Sequence, residues 1–473
     1  MSFNSSVFLF GFLPLVVAAY YALQFFAPKA GSARNVLLVV ASLAFYSWGG
    51  LSFTVVLVAV SLFDYAWAFV VSRQGNPTAK RALLAAGIVA NFGLLVGYKY
   101  LGFLDDIVFV ATGSDLGFVE IAMPLGLSFF TFAAVSYLID VYRGTVAPCR
   151  NIVNMVLWMS FFPKIISGPI VRYADVEDQF SHRKTTLEGF SEGLIRFVRG
   201  MAKKVIIADT LGLLVDSIFS SYTSGYGLDV ASAWLGALCY TLQIFFDFSG
   251  YSDMAIGLGA MFGFRFKENF DYPYISKTIT EFWRRWHISL STWFRDYLYF
   301  PLGGSRRGNV YFNLIVVFVA SGLWHGAAWT FVLWGAWHGI ALAIEKFCWR
   351  KRWWNRIPAG VHVLITLLVV VLGWVIFRAP TISVAWGYLG VMFGIGASAA
   401  PLYEFSYYFD PRVAFLFVVG VVCSTELVKK ATARLGEFAW YGYVRALSVP
   451  LLFVLCLLFV VNSTYSPFLY AQF

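Results

Sequence analysis

Long apolar runs separated by short polar loops make up most of this chain. Several runs reach the length of about 20 residues that an α-helix needs to cross a hydrocarbon core, and the alternation typical of a transmembrane strand is absent. The pattern therefore predicts an all-α polytopic membrane protein. Its apolar segments are expected near residues 7–26, 35–48, 53–71, 82–103, 121–142, 231–248, 310–322, 361–377, 413–428 and 447–461.

The loops between these segments alternate in charge. Arg73, Lys80 and Arg81 lie in one basic loop, whereas the loops at 49–52 and 105–120 contain no Lys or Arg. Because Lys and Arg accumulate in cytoplasmic loops, the pattern predicts that the basic loops are cytoplasmic and that both termini lie outside. The same alternation predicts that the short run 384–394 lies flat or re-enters from the outside.

Composition agrees with a membrane protein. Of 473 residues, 60% are hydrophobic and 13% are charged, and the mean hydropathy is +0.72. The net charge of +10 is explained by the basic loops, so nucleic acid is not an expected partner. The five cysteines show no paired spacing, which argues against a disulfide framework and a metal site. We expect one membrane domain, 1–473, with N-terminal helices (1–150), a core (151–345) and C-terminal helices (346–473).

The stretch from Phe282 to His338 concentrates charged residues and three of the five histidines in an otherwise apolar sequence. Ionisable residues within a membrane are costly and often functional. At 100° per residue, the first part of this stretch predicts one amphipathic helix. The helix is either part of the functional site or an interfacial anchor. The polar face would contain Arg284, His287, Ser291 and Arg295, and the other face Trp283, Trp286, Leu290, Trp293, Phe294 and Tyr297.

His325 is the candidate general base. The apolar run 310–322 is too short to complete a crossing before this residue, so His325 is expected within the bilayer. Gly322 and Gly326 flank it, and Trp324 and Trp329 are expected to form the walls of a pocket. A neutral histidine in a dehydrated pocket can accept a proton from an alcohol, which suits acyl transfer. The alternative is an interhelical hydrogen bond, and a structural role is also expected for His338.

Other polar residues interrupt the apolar pattern. Asp247 and Asp253 lie in a glycine-rich segment and are expected to form a packed polar junction, with a direct catalytic role as the less favoured alternative. The prolines of Lys164–Pro169 suggest a break that lines a cavity. Arg196, Arg199, Lys203 and Lys204 recur at helical spacing and favour a solvated basic face at the cytoplasmic membrane surface, with a dedicated phosphate site as the less favoured alternative.

Four motifs closely resemble the membrane-bound O-acyltransferase family, most strongly its bacterial branch. They are DFSGYSDMAIGLG (247–259), RRWHISLSTWFRDYLY (284–299), SGLWHGAAW (321–329) and WGAWHG (334–339). The resemblance implies a ring of about ten to twelve transmembrane helices, with re-entrant or interfacial helices, around a central funnel. It makes His325 the counterpart of the family's catalytic histidine, and His287 stands where relatives carry a second polar residue.

The resemblance also implies a reaction in the bacterial inner membrane. Acetyl-coenzyme A would be the cytoplasmic donor, no cofactor would be bound, and the acceptor would be an exported polysaccharide, reached directly or through a periplasmic acetyl-carrying partner. Alginate is the favoured polymer, and cellulose and peptidoglycan are alternatives. A transporter and a non-catalytic scaffold are alternatives of other classes. His325 would be the base, and His287 would orient or polarise the thioester carbonyl. Supporting residues would be Arg284, Arg285, Trp324, Asp253, Arg295 and His338. Candidates to hold the donor's phosphates are Arg284, Arg285, Lys267, Arg306 and Arg307, with ordinary basic cytoplasmic loops as the alternative explanation for most of them.

Overall fold

The computed structural model describes residues 1–28, 30–118, 121–349 and 351–462, and within these ranges every regular element is helical. Seven of the described helices are long and apolar enough to cross a membrane, and a bent pair raises the number to eight. These helices confirm the predicted all-α, multi-pass membrane protein. The expected ten to twelve crossings would have to include shorter helices. The predicted position of the C-terminus falls on 463–473, outside the described residues.

The chain divides into two compact units. The first contains residues 1–197 and 252–268, and the second contains residues 198–251 and 269–473. The single-domain organisation remains a prediction. The first unit contains α1 (Val7–Phe26), α2 (Gly31–Ser47), α3 (Leu51–Arg73), α4 (Pro77–Lys99), α5 (Leu101–Thr112), α6 (Leu127–Arg143), α7 (Ile152–Ser160) and the beginning of α8 (Leu187–Thr223).

The second unit contains the rest of α8 and most of α9 (Val230–Met261), a helix whose first turn is capped by Asp229 through the backbone N–H of Ser232 at 2.8 Å. It continues with α10 (Ile279–Arg285), α11 (Ile288–Phe294), α12 (Val310–His325), α13 (Trp329–Cys348), α14 (Ala359–Arg378), α15 (Ile382–Met392), α16 (Pro411–Cys423), α17 (Leu427–Leu435) and α18 (Ala439–Asn462).

Local sequence explains several helix boundaries. Asn76 caps α4 by accepting from the backbone N–H groups of Thr78 and Ala79 at 2.9 and 3.1 Å, and Pro77 supplies the favoured first residue. The predicted segment 121–142 begins later than expected, at Leu127. Gly126 ends the preceding loop with φ of +73°, and a Cβ on it would lie 2.0 Å from the carbonyl oxygen of Ile165. Tertiary packing therefore fixes this boundary.

The predicted segment 413–428 is not one continuous helix, because the chain bends by 73° between α16 and α17. The basic residues expected at helical spacing over 196–204 lie within the longer helix α8, which contains a π-helical segment at Lys203–Ala208. A π-helical segment keeps the helix continuous while shifting its side-chain register, and this is difficult to see in a sequence pattern. The short run 384–394 is a helix of 11 residues, Ile382–Met392.

Several buried charged and amide side chains find partners within each unit. In the first unit, Asn91 donates to the carboxylate of fully buried Asp64 at 2.9 Å, and Arg196 pairs with both Asp253 and Glu268. The expected cavity at Lys164–Pro169 is present as a space of about 10 Å³, enough for about one water molecule. Its lining includes Phe129, Lys164 and Pro169.

The second unit buries an ion cluster formed by Lys204, Asp209 and Asp247, in which Lys204 Nζ lies 2.8 Å from Asp247. Lys204 is only 3% exposed, so the solvated position expected for it is wrong. Lys204 lies in the π-helical segment, and its ammonium group points inward. There it supplies the positive charge that a buried carboxylate requires. The expected polar junction is therefore present at Asp247, and it includes a lysine from α8.

The helices α12 and α13 form a tightly packed hairpin. A Cβ on Gly322 would lie 2.1 Å from the carbonyl oxygen of Phe331, and a Cβ on Gly335 would lie 2.3 Å from that of Phe318. Only glycine permits backbones to approach this closely. The hairpin turn follows His325 directly, so this packing fixes the position of the candidate base.

Substitution at this contact is expected to destabilise the protein. Gly322→Ala should lower the unfolding free energy by about 1–3 kcal/mol, because the added methyl group meets backbone that cannot move aside. Thermal unfolding of the detergent-purified protein measures the effect. Gly93→Ala is the matched control, since a Cβ there meets nothing within 4 Å in the middle of α4. Equal unfolding midpoints for the two variants would contradict this account of the hairpin.

Candidate functional site

The site begins at α10, whose position is fixed at its first turn. Thr278 caps this helix by accepting from the backbone N–H of Glu281 at 2.9 Å. Glu345, in α13, accepts from the backbone N–H groups of Ile279 and Thr280 at 2.5 and 3.0 Å. A carboxylate at a helix N-terminus satisfies donors that have no partner within the helix. These bonds attach α10 to the hairpin that contains His325.

The predicted amphipathic helix is interrupted at His287. The chain leaves α10 at Trp286, and His287 adopts the left-handed conformation with φ of +43° before α11 begins. The aromatic face is buried, and His287 is 1% exposed and does not share an exposed face with Arg284 and Arg295. The continuous helix is therefore wrong at this residue. A non-glycine residue with positive φ requires tertiary contacts to hold it.

His287 is enclosed by side chains of the second unit. Its Nδ1 atom lies 3.2 Å from Asn269 Oδ1. Its ring makes an edge contact with Phe248, at 4.6 Å between centroids, and lies 6.0 Å from Trp324. Burial lowers the pKa of His287 to about 3, because the charged imidazolium loses its hydration. The imidazole is therefore neutral at the pH of the cell.

His325 lies at the end of α12 and is 2% exposed. Three aromatic rings surround it: Trp324 at 4.9 Å, Trp334 at 5.1 Å and Phe377 at 5.3 Å between centroids. Trp324 was expected in this wall. Trp329 is 54% exposed, and the second tryptophan against His325 is Trp334. Aromatic rings therefore enclose His325, with Trp334 beside it in addition to the expected Trp324.

Trp324 brings the two candidate catalytic histidines into one neighbourhood, because its ring contacts both His287 and His325. The three residues come from the break between α10 and α11 and from the end of α12. Imidazoles in an apolar enclosure with little access to water are suited to proton transfer and hydrogen bonding during group transfer. Among the described residues, no group of three or more His, Cys, Asp or Glu side chains is placed to hold a metal ion.

His338 packs within an aromatic layer next to the hairpin. Its ring lies 5.0 Å from Trp283 and 5.1 Å from Trp334, and a Cβ on Gly373 would lie 2.6 Å from its Nε2 atom. Such close contact with the backbone of α14 fits the structural role expected for it.

The basic residues proposed to support the site differ in their surroundings. Arg284, Arg306 and Arg307 are exposed. Arg285 pairs with Glu281 at 2.9 Å, and Arg295 pairs with Asp296 at 2.7 Å. In the first unit, Asp253 pairs with Arg196, and Lys267 pairs with Asp175 at 2.5 Å. The exposed arginines remain accessible to a phosphate-bearing ligand, whereas the paired residues already have partners in the protein.

Sequence reasoning missed Asn269, Trp334 and Phe377. Trp334 lies in a motif that was noted only for its histidine, so its position one helical turn before His338 was an available signal. Asn269 lies 18 residues before His287, and Phe377 lies on α14. Nothing in the local pattern singles out either residue, because both reach the site through tertiary packing.

Comparison with known proteins shows the family of the chain. Residues 149–379 match the model of the membrane-bound O-acyltransferase family. A probable alginate O-acetylase of Pseudomonas putida is 42% identical, with the match covering all of both chains, and one of Pseudomonas aeruginosa is 46% identical over 84% of this chain and 75% of the relative. A peptidoglycan O-acetyltransferase of Helicobacter pylori is 33% identical over all of this chain and 97% of the relative.

These matches extend well beyond the motifs and confirm the resemblance found in them. The matched region contains both enclosed histidines, the break at His287 and the hairpin that places His325. The chain therefore belongs to the membrane-bound O-acyltransferase family and is a membrane O-acyltransferase.

Proposed function

We propose that the chain moves acetyl groups from cytoplasmic acetyl-coenzyme A across the bacterial inner membrane for O-acetylation of an exported polysaccharide. The observation that carries this proposal is the aromatic enclosure in which Trp324 contacts both His287 and His325. The names of the relatives from Pseudomonas support alginate as the polymer. Peptidoglycan is the second candidate, because a relative that aligns with the whole chain is named for it.

In this mechanism, His325 acts as the base. It accepts the proton of the acceptor hydroxyl while the hydroxyl oxygen forms a bond to the acetyl carbonyl carbon of the thioester. The carbon–sulfur bond then breaks, and the departing thiolate takes the proton from the imidazolium, so the base returns to its neutral state. The acceptor hydroxyl belongs either to the polysaccharide or to a periplasmic partner that passes the acetyl group on.

Removal of the base should abolish acetylation without unfolding the protein. His325→Gln is expected to lower the ester content of the secreted polymer about 100-fold or more, the usual contribution of a general base. Ester content is measured in cells in which the variant replaces the native chain. The control is His362→Gln, because His362 contacts Trp354 at the edge of another pocket. Undiminished acetylation by a normally inserted His325→Gln protein would exclude this role for His325.

The exposed arginines Arg306 and Arg307 are proposed to bind the phosphates of the donor. Arg306→Glu should raise the KM for acetyl-coenzyme A about tenfold and leave kcat nearly unchanged, since the lost interaction is equal in the ground state and the transition state. Kinetics with acetyl-pantetheine, which lacks phosphates, should show no such difference between variant and wild type. Arg412→Glu makes the same charge change at an exposed residue near the start of α16 and serves as control. Equal effects on both donors would contradict phosphate binding by Arg306.

The orientation supports a cytoplasmic donor, because the basic loops are proposed to face the cytoplasm and the N-terminus the periplasm. In a cysteine-free variant, Asp115→Cys should react with a membrane-impermeant maleimide in intact spheroplasts. Lys80→Cys should react only after lysis. Both positions are at least partly exposed, so access to the reagent depends on the side of the membrane. The opposite pattern of labelling would reverse the proposed orientation and the side of the donor.

A further inference from the structure

The side chain of Asn269 contacts His287 and Ser289. Its Oδ1 atom lies 3.1 Å from the backbone nitrogen of Ser289, 2.9 Å from Ser289 Oγ and 3.2 Å from His287 Nδ1. Its backbone carbonyl accepts from the N–H of Ile288 at 2.9 Å. Asn269 is itself 1% exposed, so these bonds are protected from competition by water.

The contact with the backbone of Ser289 shows which atom of the Asn269 amide faces His287. A backbone N–H can only donate, so the Asn269 atom that faces the nitrogen of Ser289 must be the oxygen of the amide. That oxygen can only accept. The Nδ1 atom of His287, which faces the same oxygen, must therefore carry a proton, because two lone pairs would otherwise oppose each other.

The neutral state of the ring then determines whether the other nitrogen, Nε2, carries a proton. An imidazole with a pKa of about 3 carries a single proton at the pH of the cell. Since that proton is on Nδ1, the Nε2 atom has a lone pair. This nitrogen can accept a hydrogen bond or a proton, but it cannot donate.

We propose that Asn269 is a positioning residue that holds His287 in the Nδ1–H tautomer, so that His287 acts in the site as a hydrogen-bond acceptor through Nε2. The proposal rests on the proposed acyl transfer for its catalytic meaning. It excludes the expected polarisation of the thioester carbonyl, because a carbonyl oxygen requires a donor. The group that His287 orients is instead a hydroxyl or an amide N–H of a substrate.

The backbone around His287 supports the same assignment. A left-handed conformation is unfavourable for an L-residue, and at His287 it is held by two hydrogen bonds that Asn269 accepts from the backbone N–H groups of Ile288 and Ser289. The left-handed backbone of His287 and the contact between its Nδ1 atom and Asn269 both restrict the direction of the imidazole ring. A general base or acceptor whose direction is fixed before the substrate binds loses less entropy during the reaction.

The tautomer can be measured directly in the full-length protein. Nitrogen-15 NMR of histidine-labelled protein in detergent distinguishes a protonated ring nitrogen from an unprotonated one, and the spectrum of His287→Gln assigns the signal among the five histidines. The expected result is a protonated Nδ1 and an unprotonated Nε2 at neutral pH. An Nε2–H tautomer in the wild type would overturn the proposal, whatever the activity of the protein.

Variants of Asn269 test its part in this arrangement. Asn269→Leu removes the acceptor and should mix the tautomers of His287 and lower acetyl transfer about 100-fold. Asn269→Asp keeps an acceptor oxygen and should retain the Nδ1–H tautomer, with activity at least about tenfold above that of the Leu variant. Ser291→Ala, which removes from α11 a hydroxyl that donates to the backbone carbonyl of Trp286, should change neither property.

The outcomes separate the tautomer from the reaction. An unchanged tautomer in a folded Asn269→Leu protein would overturn the positioning role. If Asn269→Leu and Asn269→Asp lost activity equally while Asn269→Asp kept the tautomer, control of the tautomer would not be what Asn269 contributes to catalysis. Absence of acetyl transfer by the wild-type protein, combined with the expected tautomer, would contradict the proposed function and leave the assignment of His287 standing.

Discussion

The requirement that buried polar groups find partners within the chain governs this structure. In helices surrounded by hydrocarbon, a donor or acceptor without a partner costs several kcal/mol. Each unit meets this requirement by joining distant parts of the sequence. Arg196 binds Asp253 and Glu268 in the first unit, and Lys204 binds Asp209 and Asp247 in the second. Such pairs are weak evidence for stability, but they restrict which helices can lie side by side.

The same requirement builds the candidate site. Glu345 satisfies the first N–H groups of α10, which ties the helix before His287 to the hairpin that ends α12. Asn269 satisfies the first N–H groups of α11. The two imidazoles are thus placed by hydrogen bonds made by other residues, on elements whose ends are fixed. Precise placement of this kind lowers the entropic cost of a group-transfer reaction.

Packing supplies what hydrogen bonds do not. Glycines bring α12 and α13 into backbone contact, and tryptophan and phenylalanine rings fill the space that remains around His325. Aromatic rings exclude water and also present flat, rigid walls. A small change in the hairpin would therefore move His325, because the backbone contact at Gly322 lies only three residues before it.

The sequence by itself determined the helical class and the membrane character, and it singled out His325 as a candidate base. These properties follow from the length, composition and period of apolar runs, which are local quantities. Only the tertiary structure decided the break at His287, the bend between α16 and α17, the inward position of Lys204 and the partnership with Asn269. A helical wheel assumes an unbroken helix, and positive φ at His287 depends on hydrogen bonds from a residue 18 positions earlier. Such long-range bonds leave no period in the sequence.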